Sequence, residues 1–70
     1  MIQTFTVEVE QEEDGRWLAE VMDMPGVMVY GQTPDQAVAK VKALALRVIA
    51  DRLEHDEELI TIDTIAFATA

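Results

Sequence analysis

The most restrictive feature of the sequence is an apolar/polar alternation near its start, followed by a pair of residues that favours a tight turn. Phe5, Val7 and Val9 alternate with threonines and glutamates, which is the two-residue period of a strand with one buried and one wet face. Asp14-Gly15 then tolerates the positive φ angles of a tight hairpin. The sequence therefore predicts an antiparallel β-hairpin at its start.

The second strand of this hairpin fixes which side chains face the core. Glu20 marks the wet face, so its neighbours in the strand point inward, on the same side as the apolar residues of the first strand. Trp17 is expected to serve packing rather than base stacking, because its large ring opens the strand on the core side. The predicted inward-facing side chains are Phe5, Val7, Val9, Trp17, Ala19 and Val21.

Two further motifs predict how the chain continues. Pro25-Gly26 ends the second strand, since proline has no amide hydrogen and glycine permits unusual backbone angles. Thr33-Pro34 starts a helix, in which Thr33 caps, Pro34 suits the first helical position and Gln36 reaches back as a capping-box partner. The predicted elements are strands Ile2 to Gln11, Arg16 to Met22, Val27 to Tyr30 and Leu59 to Phe67, and a helix from Thr33-Pro34 to about Glu54.

The order of these elements predicts an α+β fold with the layout β-β-β-α-β, in which one helix covers one face of the sheet. A right-handed crossover places the fourth strand parallel to the first, which gives the sheet order 3-2-1-4. This arrangement is that of a partial ribonuclease H-like core. A change of phase near Asp63-Thr64 predicts a bulge in the last strand. At 70 residues, residues 1–70 form a single domain.

Charge and composition exclude several classes of function. Five Lys and Arg against fourteen Asp and Glu give a net charge of −9, which opposes binding to nucleic acid or anionic lipid and favours a basic partner. The absence of cysteine and the single histidine, His55, remove the usual nucleophiles and metal sites, so no metal or cofactor is expected. The N-terminal residues resemble neither a signal peptide nor a membrane span, which predicts a cytoplasmic protein.

Two sets of apolar side chains, one on the helix and one on the sheet, are more than one small sheet and one helix need for packing against each other. Ala37, Val41, Leu44 and Val48 form the helix stripe expected to meet the sheet. A second helix stripe is either extra core under the last strand or a surface for a partner, and four apolar residues of the outer sheet face are interface candidates. The complete set of candidates is Leu18, Met22, Met28 and Tyr30 on the sheet and Leu46, Ile49 and Leu53 on the helix.

The acidic residues are the remaining candidates for function. They form one cluster around the first hairpin and another after the helix, where they would steer a basic partner or simply keep the surface solvated. The steering candidates are Glu12, Glu13, Asp14, Glu54, Asp56, Glu57 and Glu58. Carboxylates spread along exposed segments do not converge as two-metal chemistry requires, so a minimal nuclease is the weakest hypothesis.

The segments Trp17–Val21, Asp23–Val27 and Gly31–Thr33, followed by the Ala-rich helix, resemble the HicB family of bacterial antitoxins, in particular its short single-domain members. The resemblance implies a protein without enzymatic activity that binds and masks HicA, a small basic mRNA-cleaving toxin, and that assembles as a homodimer or larger. Longer members carry a C-terminal DNA-binding domain, which this chain is expected to lack, so no DNA binding is predicted. The alternative hypothesis is an orphan structural or small-ligand-binding homo-oligomer.

Overall fold

A computed structural model describes residues 2–55 and 62–70 and shows a four-stranded mixed sheet with one helix on one face. The elements are β1 (Ile2–Gln11), β2 (Trp17–Val21), β3 (Met28–Gly31), α1 (Pro34–Glu54) and β4 (Thr64–Thr69). The strand order is β3-β2-β1-β4, with β4 parallel to β1 and the other pairs antiparallel. The predicted α+β layout and sheet order are confirmed.

The first hairpin turns where the Asp-Gly pair predicts. The backbone N–H of Gly15 donates to the carbonyl of Glu12 at 3.0 Å, and Gly15 has a φ of +90°. The N–H of Glu12 closes the loop on the carbonyl of Arg16 at 2.8 Å. This turn sets the register, so that Val7 pairs with Val21 on the core side of the sheet.

The loop between β2 and β3 contributes to the core. Met24 is only 2% exposed, and its carbonyl accepts from the N–H of Val27 at 3.1 Å. Gly26 has a φ of +84°, as a tight turn after Pro25 requires. The carboxylate of Asp23 accepts from the backbone N–H of Thr6 at 2.8 Å, which ties the loop to β1. Sequence analysis assigned Met24 to the turn only, whereas the loop folds its side chain under the sheet.

The start of α1 is held by its predicted cap and by a close approach to β3. The Thr33 hydroxyl accepts from the N–H of Gln36 at 3.0 Å, and the side-chain oxygen of Gln36 accepts from the N–H of Gln32 at 2.6 Å. Gly31 lies directly against the helix, so that a Cβ there would stand 2.6 Å from the backbone nitrogen of Ala37. Only glycine allows β3 and α1 to approach this closely.

The helix buries a ridge of residues spaced four apart, namely Ala37, Val41, Ala45 and Ile49. Each step of four residues advances by about 40° around the helix, so the buried line drifts along α1. The predicted stripe shares Ala37 and Val41 with this ridge, but Leu44 and Val48 are only half-buried. Ile49, expected in the second stripe, is 2% exposed and belongs to the core.

The last strand starts later than predicted and contains no bulge. Its pairing with β1 runs without interruption from Ile2 opposite Thr64 to Val7 opposite Thr69. The change of phase near Asp63 therefore marks the beginning of β4 instead of a bulge within it. Phe67 lies opposite Phe5, with ring centroids 5.9 Å apart, on the helix side of the sheet. The part of the predicted strand at positions 59–61 lies outside the described residues.

Candidate protein-binding surfaces

The outer face of the sheet, opposite α1, carries an apolar patch that no described element covers. Met22, Met28 and Tyr30 are 48%, 44% and 41% exposed, and Leu18 is half-buried. Leu18 lies directly opposite Tyr30 in the β2–β3 ladder, so their side chains share this face. We call these four residues the outer-face patch. The structure thus places the four predicted sheet candidates together on one surface.

Two carboxylates oppose each other directly beside this patch. Glu8 of β1 pairs with Glu20 of β2, and Glu20 in turn pairs with Met28 of β3. Glu10 lies one step along the same face, opposite Leu18. Like charges placed directly across a ladder destabilise a sheet by a fraction of a kcal/mol, about 0.2–1. Glu8 and Glu20 are therefore a like-charged cross-strand pair, an arrangement that does not favour pairing of the two strands.

At the hairpin end of this face, the side chains form a local network around Tyr30. The guanidinium of Arg16 lies 4.0 Å from the centre of the Tyr30 ring, and its Nε donates to Asp14 Oδ2 at 2.7 Å. The hydroxyl of Tyr30 donates to Glu12 Oε1 at 3.3 Å. Two steering candidates, Glu12 and Asp14, are thus engaged within the chain, whereas Glu13 is exposed between them.

The contacts of Asp14 have a measurable consequence. The backbone N–H and the guanidinium of Arg16 both donate to the Asp14 carboxylate, in that order of importance, and lower its pKa below the ordinary value of 3.8. Asp14 therefore favours the folded chain above the ordinary pKa of aspartate, and this contribution disappears as the pH falls through the lowered value. We expect a carboxyl carbon NMR titration to give a midpoint below 3.8.

In Arg16→Gln the Asp14 midpoint should rise only in part, because the backbone N–H at position 16 still donates to the carboxylate. A midpoint at the ordinary value in the unsubstituted chain would show that these contacts do not persist in solution.

The helix candidates divide between surface and core. Leu46 and Leu53 are 46% and 40% exposed and lie outside the buried ridge of α1. Ile49, between them in sequence, points inward, because it lies four residues after Ala45 on the buried ridge. The sequence leaves the second stripe open between extra core and partner surface; in the structure Ile49 lies in the core, whereas Leu46 and Leu53 are exposed.

The second acidic cluster is only partly described. Glu54, the last residue of α1, is exposed. Asp56, Glu57 and Glu58 lie outside the described residues. His55 follows the helix and contacts Asp51, with its Nδ1 2.7 Å from the carbonyl oxygen and 3.5 Å from the carboxylate.

Within residues 2–55 and 62–70, no group of three histidine, cysteine, aspartate or glutamate side chains is arranged to hold a metal ion. The described chain also contains no helix with the length and apolar character needed to cross a membrane.

The fold and these surfaces define a small α+β domain with an acidic and apolar outer sheet face. No family model, curated protein or solved structure matches the chain.

Sequence analysis missed two features of these surfaces. Glu8 and Glu20 were placed on the wet face but not opposite each other, although the Asp14-Gly15 turn determines that register. The second is the strand that Lys40 and Arg47 approach, since both line a groove with Val29 of β3. That strand could not be assigned from the helix pattern alone, because it depends on how the helix lies across the sheet.

Proposed function

We propose that this chain is a HicB-like antitoxin of a type II toxin-antitoxin pair, a non-enzymatic bacterial cytoplasmic protein that binds and masks a small basic HicA-type mRNA-cleaving toxin. The observation that carries the proposal is the outer face of the sheet, where the directly opposed Glu8 and Glu20 adjoin the exposed Met28 and Tyr30. Of the segments that carry the HicB resemblance, Trp17–Val21 forms β2 and supplies Leu18 and Glu20 to this face.

Electrostatics supports a cationic occupant for this face. The chain has a net charge of −9, and complementary charge speeds encounter and selects among partners. The repulsion between Glu8 and Glu20 is present in the free chain and is removed when lysine or arginine side chains dock between them. The same surface would repel RNA, so the chain competes for the toxin without binding the toxin's substrate.

The apolar part of the face supplies the contact area. Tyrosine and methionine are enriched at protein interfaces, because tyrosine offers a large rigid ring with a polar tip and methionine adapts to its surroundings. Tyr30 is held in place by Arg16 and Glu12, so little side-chain freedom is lost when a partner packs against it. Inhibition then follows from occlusion of the toxin's RNA-binding surface.

The two exposed leucines of the helix support a different role, that of self-association. Leu46 and Leu53 are exposed on α1, which lies on the other side of the sheet from the outer-face patch, so a second copy docked there leaves the patch open for the toxin. A homodimer or larger assembly through α1 is part of the proposal. If no toxin exists, the exposed leucines of α1 still support the alternative hypothesis of an orphan homo-oligomer.

Removing the two opposed charges should make the chain more stable and a poorer binder. We expect Glu8→Gln/Glu20→Gln to raise the free energy of unfolding by about 0.2–1 kcal/mol, because the cross-strand repulsion is lost. The same variant should bind the basic protein encoded by the neighbouring reading frame about tenfold more weakly. Urea denaturation and isothermal titration calorimetry measure the two effects.

The matched control is Glu13→Gln/Glu54→Gln, which changes the net charge equally at exposed positions outside the outer face. It should leave the free energy of unfolding nearly unchanged and weaken binding much less than Glu8→Gln/Glu20→Gln does, because steering charges act mainly on the rate of encounter. If the two double variants weakened binding equally, the affinity would depend on net charge alone. That result would contradict a site on the outer face.

A further inference from the structure

The other side of the sheet carries a groove with the opposite charge. It is an open groove of about 330 Å³ between β3 and α1, lined by Val29, Lys40, Ala43, Leu44 and Arg47. Its floor is apolar, and its two polar lining residues are both cations. In a chain with a net charge of −9, this is an unusual concentration of positive charge, since two of the five cations line one groove.

These two cations have no ion-pair partner among the residues that the structure describes. Arg16 pairs with Asp14 and stacks on Tyr30, and Lys42 lies over the ring of Phe67. Lys40 and Arg47 take part in no comparable contact within the described chain. Fourteen acidic side chains are available in the sequence, yet none of those in the described chain forms an ion pair with Lys40 or Arg47.

The groove borders β3, an edge strand with which no other described strand pairs on its outer side. β3 is the last strand on its side of the sheet, and the N–H of Val21 donates to the carbonyl of Val27 at 3.0 Å. Backbone hydrogen bonding alternates along an antiparallel ladder. The backbone N–H and C=O of Val29 therefore point toward β2, whereas those of Met28 and Tyr30 point outward. An added strand could therefore pair with β3, and its alternate side chains would fall beside Val29 in the groove.

We propose that this edge and groove bind an extended segment of a partner protein in which acidic and apolar residues alternate. Main-chain hydrogen bonds to Met28 and Tyr30 would hold the segment, its carboxylates would face Lys40 and Arg47, and its apolar side chains would lie beside Met28 on the outer face. A second copy of this chain fits poorly, because two-fold pairing of β3 would bring two sets of groove cations together. The inference does not depend on the existence of a toxin.

The test uses the purified full chain and a short capped peptide of alternating valine and glutamate with a fluorescent label. Fluorescence anisotropy should show binding that is about tenfold weaker for Lys40→Gln/Arg47→Gln, because two exposed charge contacts are lost. The control Lys42→Gln/Arg52→Gln makes the same change in net charge outside the groove and should bind as the unsubstituted chain does. Lys40→Arg/Arg47→Lys, which keeps both charges, should retain binding.

Two further peptides separate strand addition from simple capture of an anion. A peptide with glutamine in place of glutamate should bind about tenfold more weakly, and one methylated at every backbone nitrogen should not bind detectably. Amide NMR shifts on addition of the original peptide should be centred on Met28 and Tyr30. Circular dichroism confirms that each variant is folded.

Several results would overturn the inference. Equal binding of the original and the methylated peptides would mean that the groove captures carboxylates without strand pairing. Amide shifts confined to β4, the opposite edge, would place the site elsewhere. Self-association that strengthens in Lys40→Gln/Arg47→Gln and excludes the peptide would identify a second copy as the occupant, and absence of peptide binding would reject the site.

Discussion

Gly31→Ala should lower the free energy of unfolding by about 3 kcal/mol, at the upper end of the range for overpacked positions. A Cβ at this position would stand 2.6 Å from the nitrogen and 2.8 Å from the Cα of Ala37. Both are backbone atoms at the start of α1, so no flexible side chain can move aside. A domain of 70 residues has a total stability of roughly 4–10 kcal/mol, and this loss would lower its melting temperature by about 12–24 °C.

Gly15→Ala is the control for this substitution. Gly15 also needs its special backbone, with a φ of +90°, but nothing lies within 4 Å of a Cβ placed there. Its replacement should cost only the strain of a left-handed conformation, about 1–2 kcal/mol. Thermal unfolding followed by circular dichroism compares the two. Equal losses would show that α1 and β3 are not in close contact at Gly31.

Ile49→Ala should be the second severe substitution, with a loss of about 2–5 kcal/mol in the free energy of unfolding. Ile49 is 2% exposed and ends the buried ridge of α1, so truncation leaves a cavity that its neighbours fill only in part. Leu46→Ala, at a side chain that is 46% exposed, should cost less than 1 kcal/mol, since little buried surface is lost. Urea denaturation of the two variants measures the difference.

Sedimentation equilibrium of the same two variants separates packing from self-association. Leu46→Ala should weaken any assembly of the chain through α1 while leaving the protomer folded. If Leu46→Ala is as destabilising as Ile49→Ala in the monomer, the helix is rotated relative to the sheet, and the division of its apolar residues into core and surface is wrong.

The parts of the fold that could be predicted from the sequence are those determined by short-range chemistry. The Asp14-Gly15 turn fixes the first hairpin and therefore the register of β1 and β2. Thr33 and Pro34 locate the start of α1 within a residue, because the cap and the missing proline N–H act only at that point. The handedness of the crossover then leaves one place for β4.

The parts that could not be predicted depend on how the elements pack. A helical wheel does not reveal that the buried line on α1 drifts toward Ile49, because that drift reflects the angle at which the helix crosses the sheet. Burial of Met24 depends on the path of a loop between two strands. Similarly, the change of phase near Asp63 is compatible with a bulge or with a strand end, and only the ladder with β1 distinguishes them.

The candidate surfaces also combine features that could be predicted from the sequence with features that required the structure. Alternation alone places Met28 and Tyr30 on the outer face, where the structure finds them exposed. The opposition of Glu8 and Glu20 follows from the register that the Asp14-Gly15 turn sets, whereas the groove between Lys40 and Arg47 needed the position of α1 over β3. Features set by a turn or by one element could be predicted from the sequence, whereas features that depend on how the helix lies across the sheet required the structure.

The most direct test of the proposed function is an RNA-cleavage titration. The small basic protein encoded beside this chain is mixed with an mRNA fragment, and the purified chain is added in increasing amounts. The account predicts that cleavage stops once the chain and the toxin are equimolar, and that Glu8→Gln/Glu20→Gln requires a large excess to achieve the same inhibition. Cleavage that proceeds at its full rate under a large molar excess of the unsubstituted chain would contradict the antitoxin function.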